Sequence, residues 1–246
     1  MVDSRKKVLT AVVGSHLHGN ARPDSDLDLR SVHIEPTLAL TGLGPPPPTT
    51  KTIAGDADHV SWEVGFLCKQ ALQGEMNSIE ILYAEDYPHK AETYEANELF
   101  RIRDDFLSQR IRKKWLGFAD KQLKLIDRGI TRYHNEPDVD PVKRIKKPAF
   151  HLIRTIDALG TAWETGGFNP RHPHPENVTQ WIDENWKSLM FVATLQTVVS
   201  EMSKLTEGPT PLPEEPRLDR IDQYIRNIRA THFFVPREHT QETSNG

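Results

Sequence analysis

The sequence predicts an α/β (α+β) chain: a small mixed β-sheet core with helices, followed by a mostly helical C-terminal region. Three observations predict it. Short β-branched and apolar stretches, Val8–Val13, Leu27–Ile34 and Asp58–Trp62, fall early in the chain and have the composition and length of strands. From Ala96 onward helical patterns dominate, through Gly129, from Val142 to Thr165, from Val178 to Leu205 and from Leu218 to Thr231. Pro-rich breaks over 170–175 and 209–216 punctuate the second half. The expected division is a catalytic core over 1–95, a helical domain over 96–236 and a flexible polar tail over 237–246. No repeat of fixed period is present, which argues against a solenoid.

Taken in order, Val8–Val13 reads as the first strand and His16–Asn20 as a short helix or turn. Asp26-Leu27-Asp28-Leu29 alternates acidic and apolar side chains. On a strand both carboxylates then share one face, Arg30 joins them, and Leu27 and Leu29 turn to the core. The segment Thr41 to Pro48 ends in four prolines, which remove donors and favour a polyproline II surface loop. Asp58–Trp62 forms a third strand. Glu63–Gln73 places Val64, Leu67, Cys68, Ala71 and Leu72 at helical spacing, so one face is core and Cys68 is buried and inert. Gly74 is a stop signal, and Asn77 caps a short helix through Leu82 in which Glu80 is structural, bonding backbone N–H groups.

Composition sets the outer limits. With 246 residues, 37% hydrophobic and 27% charged, the chain buries a real core and has the make-up of an ordinary soluble protein. No apolar run reaches the roughly 20 residues of a membrane span and no signal-peptide pattern opens the chain, so a cytoplasmic location is expected. A single cysteine excludes an internal disulfide and a multi-cysteine zinc site. The net charge of −4 hides an asymmetry: residues 101–154 carry 15 Lys and Arg against 7 Asp and Glu, a local +8. Such a segment suits a nucleic-acid acceptor, or equally a solvated helical face.

The chemistry concentrates near the start. Gly14 and Ser15 end the first apolar run, and Asp26 and Asp28 follow after ten intervening residues. Glycine lets backbone approach a phosphate closely, the serine hydroxyl and nearby N–H groups donate to it, and two carboxylates offer hard oxygen ligands to Mg²⁺ (or Mn²⁺). A pair of such ions braces both oxygens of an in-line phosphoryl displacement. Asp58, Glu63 and, less favourably, Asp56 are available as a third ligand. Arg30 is placed to orient a carboxylate or touch phosphate. Lys147, His151 and Arg154 fall at i, i+4 and i+7, one helical stripe of three potential cations, while Leu152, Ile156, Leu159 and Trp163 form a separate apolar stripe. His16 and His18 fit capping, base stacking or phosphate bonding better than zinc, and no Walker-type phosphate loop occurs.

The run Gly14-Ser15-His16-Leu17-His18-Gly19, followed by Pro23-Asp24-Ser25-Asp26-Leu27-Asp28-Leu29-Arg30, resembles the signature of the DNA polymerase β-type nucleotidyltransferases. Within that superfamily it is similar to the predicted nucleotidyltransferases that include the RNA-ligase-associated branch. The resemblance covers Val8 to Tyr83 and, more weakly, Lys147 to Gly167. It implies a nucleotidyltransferase that moves an NMP from an NTP such as ATP to an acceptor hydroxyl, with an RNA 3′ end as the favoured acceptor and a protein or small molecule as variants. It also implies that an acidic residue opens the third strand, a position that Asp58 fits as metal ligand and proton acceptor, and that the Lys147, His151, Arg154 run approaches the triphosphate. A non-catalytic nucleotide-binding module of the same fold is the competing class; retention of both Asp26 and Asp28 argues against it.

Overall fold

The computed structural model describes residues 5–22, 25–54, 57–84, 93–136 and 138–234. The expected tail over 237–246 lies outside them. Four strands form one sheet in the order β1 (Lys6–Val13), β2 (Asp28–Ile34), β4 (Ala57–Glu63), β3 (Thr49–Ala54). β1 runs antiparallel to β2, β2 parallel to β4, and β3 antiparallel to β4. The parallel step is reached by a crossover containing a helical turn, α2 (Thr37–Leu40), and the β3 strand.

A register shift between Lys7 and Leu9 inserts Val8 as an extra residue in β1. The resulting bulge lets the consecutive Val8 and Leu9 both be buried, which a regular pleat forbids. β2 shows the pleat plainly. Val32 and Ile34 go into the core, and Asp28 and Arg30 share their parity. Leu29 therefore stands on the opposite face with Ser31 and His33, where Thr10, Ser31 and His59 form a hydrogen-bonded row across β1, β2 and β4 (2.8 and 2.5 Å). The expectation that Leu27 and Leu29 point to the core is thus corrected. Leu27 is 42% exposed, because Asp26 and Leu27 precede the first ladder pair, Val13 with Asp28, and lie outside the pleat.

β3 was not foreseen, since Thr49–Ala54 follows the prolines and offers one large apolar residue, Ile53. It is an edge strand, for which a polar sequence suffices. α1 is Gly14–His18, two residues earlier than expected. α3 (Val64–Leu72) buries Val64, Leu67, Cys68 and Ala71 on one face, and Glu63 caps it by accepting from the N–H groups of Gly65 and Phe66. α4 (Met76–Leu82) starts after Glu75, with no side-chain cap from Asn77.

The second half is helical as expected, with different breaks. α5 (Tyr94–Arg101) and a 3₁₀ turn (Arg103–Phe106) precede the long α6 (Arg110–Asn135). A π-helical turn (Val142–Lys146) leads into α7 (Lys147–Thr165). The single helix expected over 178–205 is two, α8 (Pro175–Asn185) and α9 (Phe191–Leu205), and α10 (Leu218–Thr231) closes the described fold. One apolar cluster joins the sheet to α3, α4, α5 and α10, and a second lies among α6, α7, α8 and α9; α6 and α7 supply residues to both. No helix among the described residues is long and apolar enough to cross a membrane.

Candidate active site

The last residue of β1, Val13, pairs with the first of β2, Asp28, so the chain enters α1 directly beside the acidic end of the sheet. Gly14 makes this possible. Its φ is +66°, which side chains with a Cβ rarely adopt, and a Cβ at that point would collide with the Asp28 carboxylate. The Gly-Ser turn and the second aspartate are therefore packed against each other. They open into a cleft of about 560 Å³ whose lining includes Gly14, Ser15, Asp26, Asp28 and Arg30 on one side and Lys147, His151 and Arg154 of α7 on the other. That volume lies in the range of small-molecule and cofactor sites.

Charge is unevenly neutralised across this cleft. Asp26 is exposed and Asp28 half-buried, and neither carboxylate has a hydrogen bond or ion pair among the described residues. Lys147 is exposed and without an ion-pair partner there. Lys146 differs, reaching Asp183 at 2.8 Å. Beneath them lies a buried polar floor. Arg154 donates to Glu80, and His18 Nε2 of α1 stands 3.3 Å from the same Oε1. Burial alone would raise the Glu80 pKa, yet the Arg154 guanidinium and His18 pull it down to about 2. His151 is pushed down to about 3, first by burial and then by Arg154, so it is neutral at pH 7. The stripe read as three cations is two cations flanking an uncharged imidazole. Glu80 bonds side chains rather than backbone N–H groups, a correction with a simple cause. α4 turns its carboxylate toward α7, 74 residues away in the chain.

The remaining acidic candidates separate. Asp58 opens β4 with its Cα in register beside Asp28. Glu63 is occupied elsewhere, capping α3 through one oxygen and pairing with Arg229 at 2.8 Å through the other. Arg30 lies on the cleft side with its guanidinium 5.8 Å from the Trp62 ring centre. Sequence reasoning missed Asn20, Asn77, Phe118, Phe150 and Thr179, which also line the cleft. They come from the turn after α1 and from α4, α6, α7 and α8, and no local motif could have grouped them.

Among the described residues no group of three or more His, Cys, Asp or Glu is assembled as a metal cluster. The donor chemistry nonetheless fits a hard divalent cation, because Asp26 and Asp28 present unpaired carboxylate oxygens to one cleft. Several buried polar atoms of the lining, Asn20 Oδ1, Arg30 Nη1 and Arg154 Nε, have no hydrogen-bond partner among the described residues, as suits a polar ligand.

A small mixed sheet carrying a Gly-Ser turn against an Asp-x-Asp strand, backed by a helical C-terminal region, has the polymerase β-type nucleotidyltransferase architecture. The chain belongs to the RNA repair pathway DNA polymerase beta family (RlaP), which matches residues 3–228. No curated protein matches it.

Proposed function

We propose that this protein transfers an NMP from an NTP to an acceptor hydroxyl, an RNA 3′ end, and releases pyrophosphate. The observation that carries the reading is the seating of Gly14 against the Asp28 carboxylate, which puts the Gly-Ser turn and an acid without an ion-pair partner in one cleft with the basic start of α7. Asp26 and Asp28, with Asp58 as third ligand, would hold two Mg²⁺ (or Mn²⁺). When bound, these ions supply charge to the attacking and leaving oxygens.

The protein's own groups do the rest. Ser15 and the N–H groups of the turn hold the triphosphate. The acceptor oxygen attacks the α-phosphorus, the bond to the β-phosphate oxygen breaks, and the hydroxyl proton passes to Asp58. Lys147 meets the departing pyrophosphate with an unshared positive charge. Arg154 contributes less directly, because Glu80 already balances it. It fixes the floor on which His151 and the nucleotide rest.

Pyrophosphate release from each NTP, with Mg²⁺ or Mn²⁺ and RNA present, tests the reading in the parent and in Asp26→Ala and Asp28→Ala. Release by the parent alone supports it. Equal signals in all three would leave a nucleotide-binding module without turnover.

A further inference from the structure

The longest helix carries a charge pattern that the cleft does not use. α6 contributes Phe118 to the cleft wall. At 3.6 residues per turn, Lys121, Arg128 and Arg132 lie on the same flank as Phe118, whereas the two acids within the helix, Asp120 and Asp127, fall on the opposite flank. A second basic element lies alongside. Gly129 packs so closely on the π-helical turn that a Cβ there would stand 2.5 Å from the Arg144 carbonyl oxygen, which brings Lys143 and Arg144 next to this flank. Lys121, Arg128, Lys143 and Arg144 are all exposed and have no ion-pair partner among the described residues. Arg132 shares its charge with Glu136 at 2.8 Å. The result is a basic gutter that starts at the cleft and runs outward for about 21 Å, at 1.5 Å per residue from Phe118 to Arg132.

We infer that this gutter is the track on which the backbone of a single-stranded RNA acceptor lies, delivering its 3′ end to the cleft. The inference rests on the nucleotidyl-transfer reading above and adds where the acceptor binds. Unpaired cations of one sign, segregated from the acids of the same helix, are the complement of a phosphate chain. From Phe118 to Arg132 the helix carries no further aromatic residue, so along the gutter the grip is on phosphate rather than on stacked bases. Binding is therefore tolerant of sequence and steeply dependent on salt.

Fluorescence anisotropy with a 12-nucleotide RNA carrying a free 3′-hydroxyl tests this with the full chain. Lys121→Glu/Arg128→Glu removes two gutter cations. Lys69→Glu/Lys113→Glu makes the same charge change away from the gutter, at two exposed lysines on α3 and on the part of α6 that precedes Phe118. The gutter pair is expected to weaken RNA binding at least tenfold and to lower the salt slope by about 1.4, from about 0.7 per single-strand phosphate contact. The control pair should stay within about twofold of the parent, and NTP-dependent thermal stabilisation should be the same in all three. Equal affinities in the two variants, or no RNA binding by the parent, would overturn the track. The two readings fail separately. A parent that binds RNA along this flank yet releases no pyrophosphate loses the transfer reading alone, and a gutter variant with undiminished RNA binding and labelling loses the track alone.

Discussion

Glu80 accepts the guanidinium of Arg154 at the floor of the cleft, and both side chains are at least nine-tenths buried. The pair fastens α4 to α7, and His18 leans on the same carboxylate from α1. Taking two charges out of water is costly, so the pair is stable only while both members remain. Glu80→Ala and Arg154→Ala should each destabilise the fold by about 3–5 kcal/mol, since each leaves an unbalanced buried charge. The double change Glu80→Met/Arg154→Met should cost less than the sum of the two. Urea melts of the four proteins measure this, and additive losses would contradict it.

The same floor makes stability depend on acid in two stages. His151 holds its proton only below about pH 3 when folded, against an ordinary value of 6.5. Between those values the unfolded chain binds the extra proton, so stability falls as pH drops from about 6.5. The slope from this one group is at most about 1.4 kcal/mol per pH unit. Glu80 acts lower. Its folded value of about 2 lies below the ordinary 4.5, so its contribution is complete above about 4.5 and is lost as pH falls toward 2. His151→Gln should remove its slope from pH 6.5 down to about 3, so that below pH 4.5 the Glu80 contribution remains without it. An unchanged upper limb would show that His151 does not titrate as its surroundings require.

Gly14→Ala should be felt twice. The positive φ costs a residue with a Cβ about 1–3 kcal/mol, and the methyl group drives into the Asp28 carboxylate. Differential scanning calorimetry should show the loss of stability, and titration with NTP and Mg²⁺ should show weakened binding. A variant with parental melting and parental nucleotide affinity would mean that the turn is not packed on Asp28.

For the transfer chemistry, Asp26→Ala and Asp28→Ala should each lower turnover at least a hundredfold, the worth of a charge-stabilising group in a preorganised site. Glu63→Gln is the informative companion. Its carboxylate caps α3 and pairs with Arg229, so it should destabilise the fold while the Mg²⁺ dependence of pyrophosphate release stays parental. A shifted metal requirement in Glu63→Gln would return that residue to the metal site.

Cys68 is buried on the core face of α3, and burial, with Glu63 close by, pushes its thiol pKa far up. It should react with a thiol reagent only as fast as the protein unfolds. Rapid modification of the native protein would contradict its placement.

The elements read correctly from the sequence are those whose periodicity is set by one neighbour. β1 carries a dense apolar run and β2 an alternating one, and α3 and α7 bury the residues their 3.6 spacing selects, including Leu152, Ile156, Leu159 and Trp163. β3 escaped because an edge strand needs no apolar alternation and Thr49–Ala54 has almost none. Leu27 misled because an alternating pattern has meaning only where a ladder exists, and the ladder begins one residue later. In the candidate site, Gly14, Ser15, Asp26 and Asp28 were visible as a local motif, and the cleft does bring them together. The Glu80 to Arg154 pairing was not visible, because side chains 74 residues apart meet only through the packing of α4 on α7.

Because α6 and α7 each lend side chains to both apolar clusters, no pliant joint separates the acidic bank from the basic one among the described residues. Parting the two banks would mean bending a 26-residue helix and its neighbour at once. The gap between aspartate and lysine is thus an inherited gauge, and under the proposed transfer reading a triphosphate would be measured against it rather than gathered in by a closing jaw.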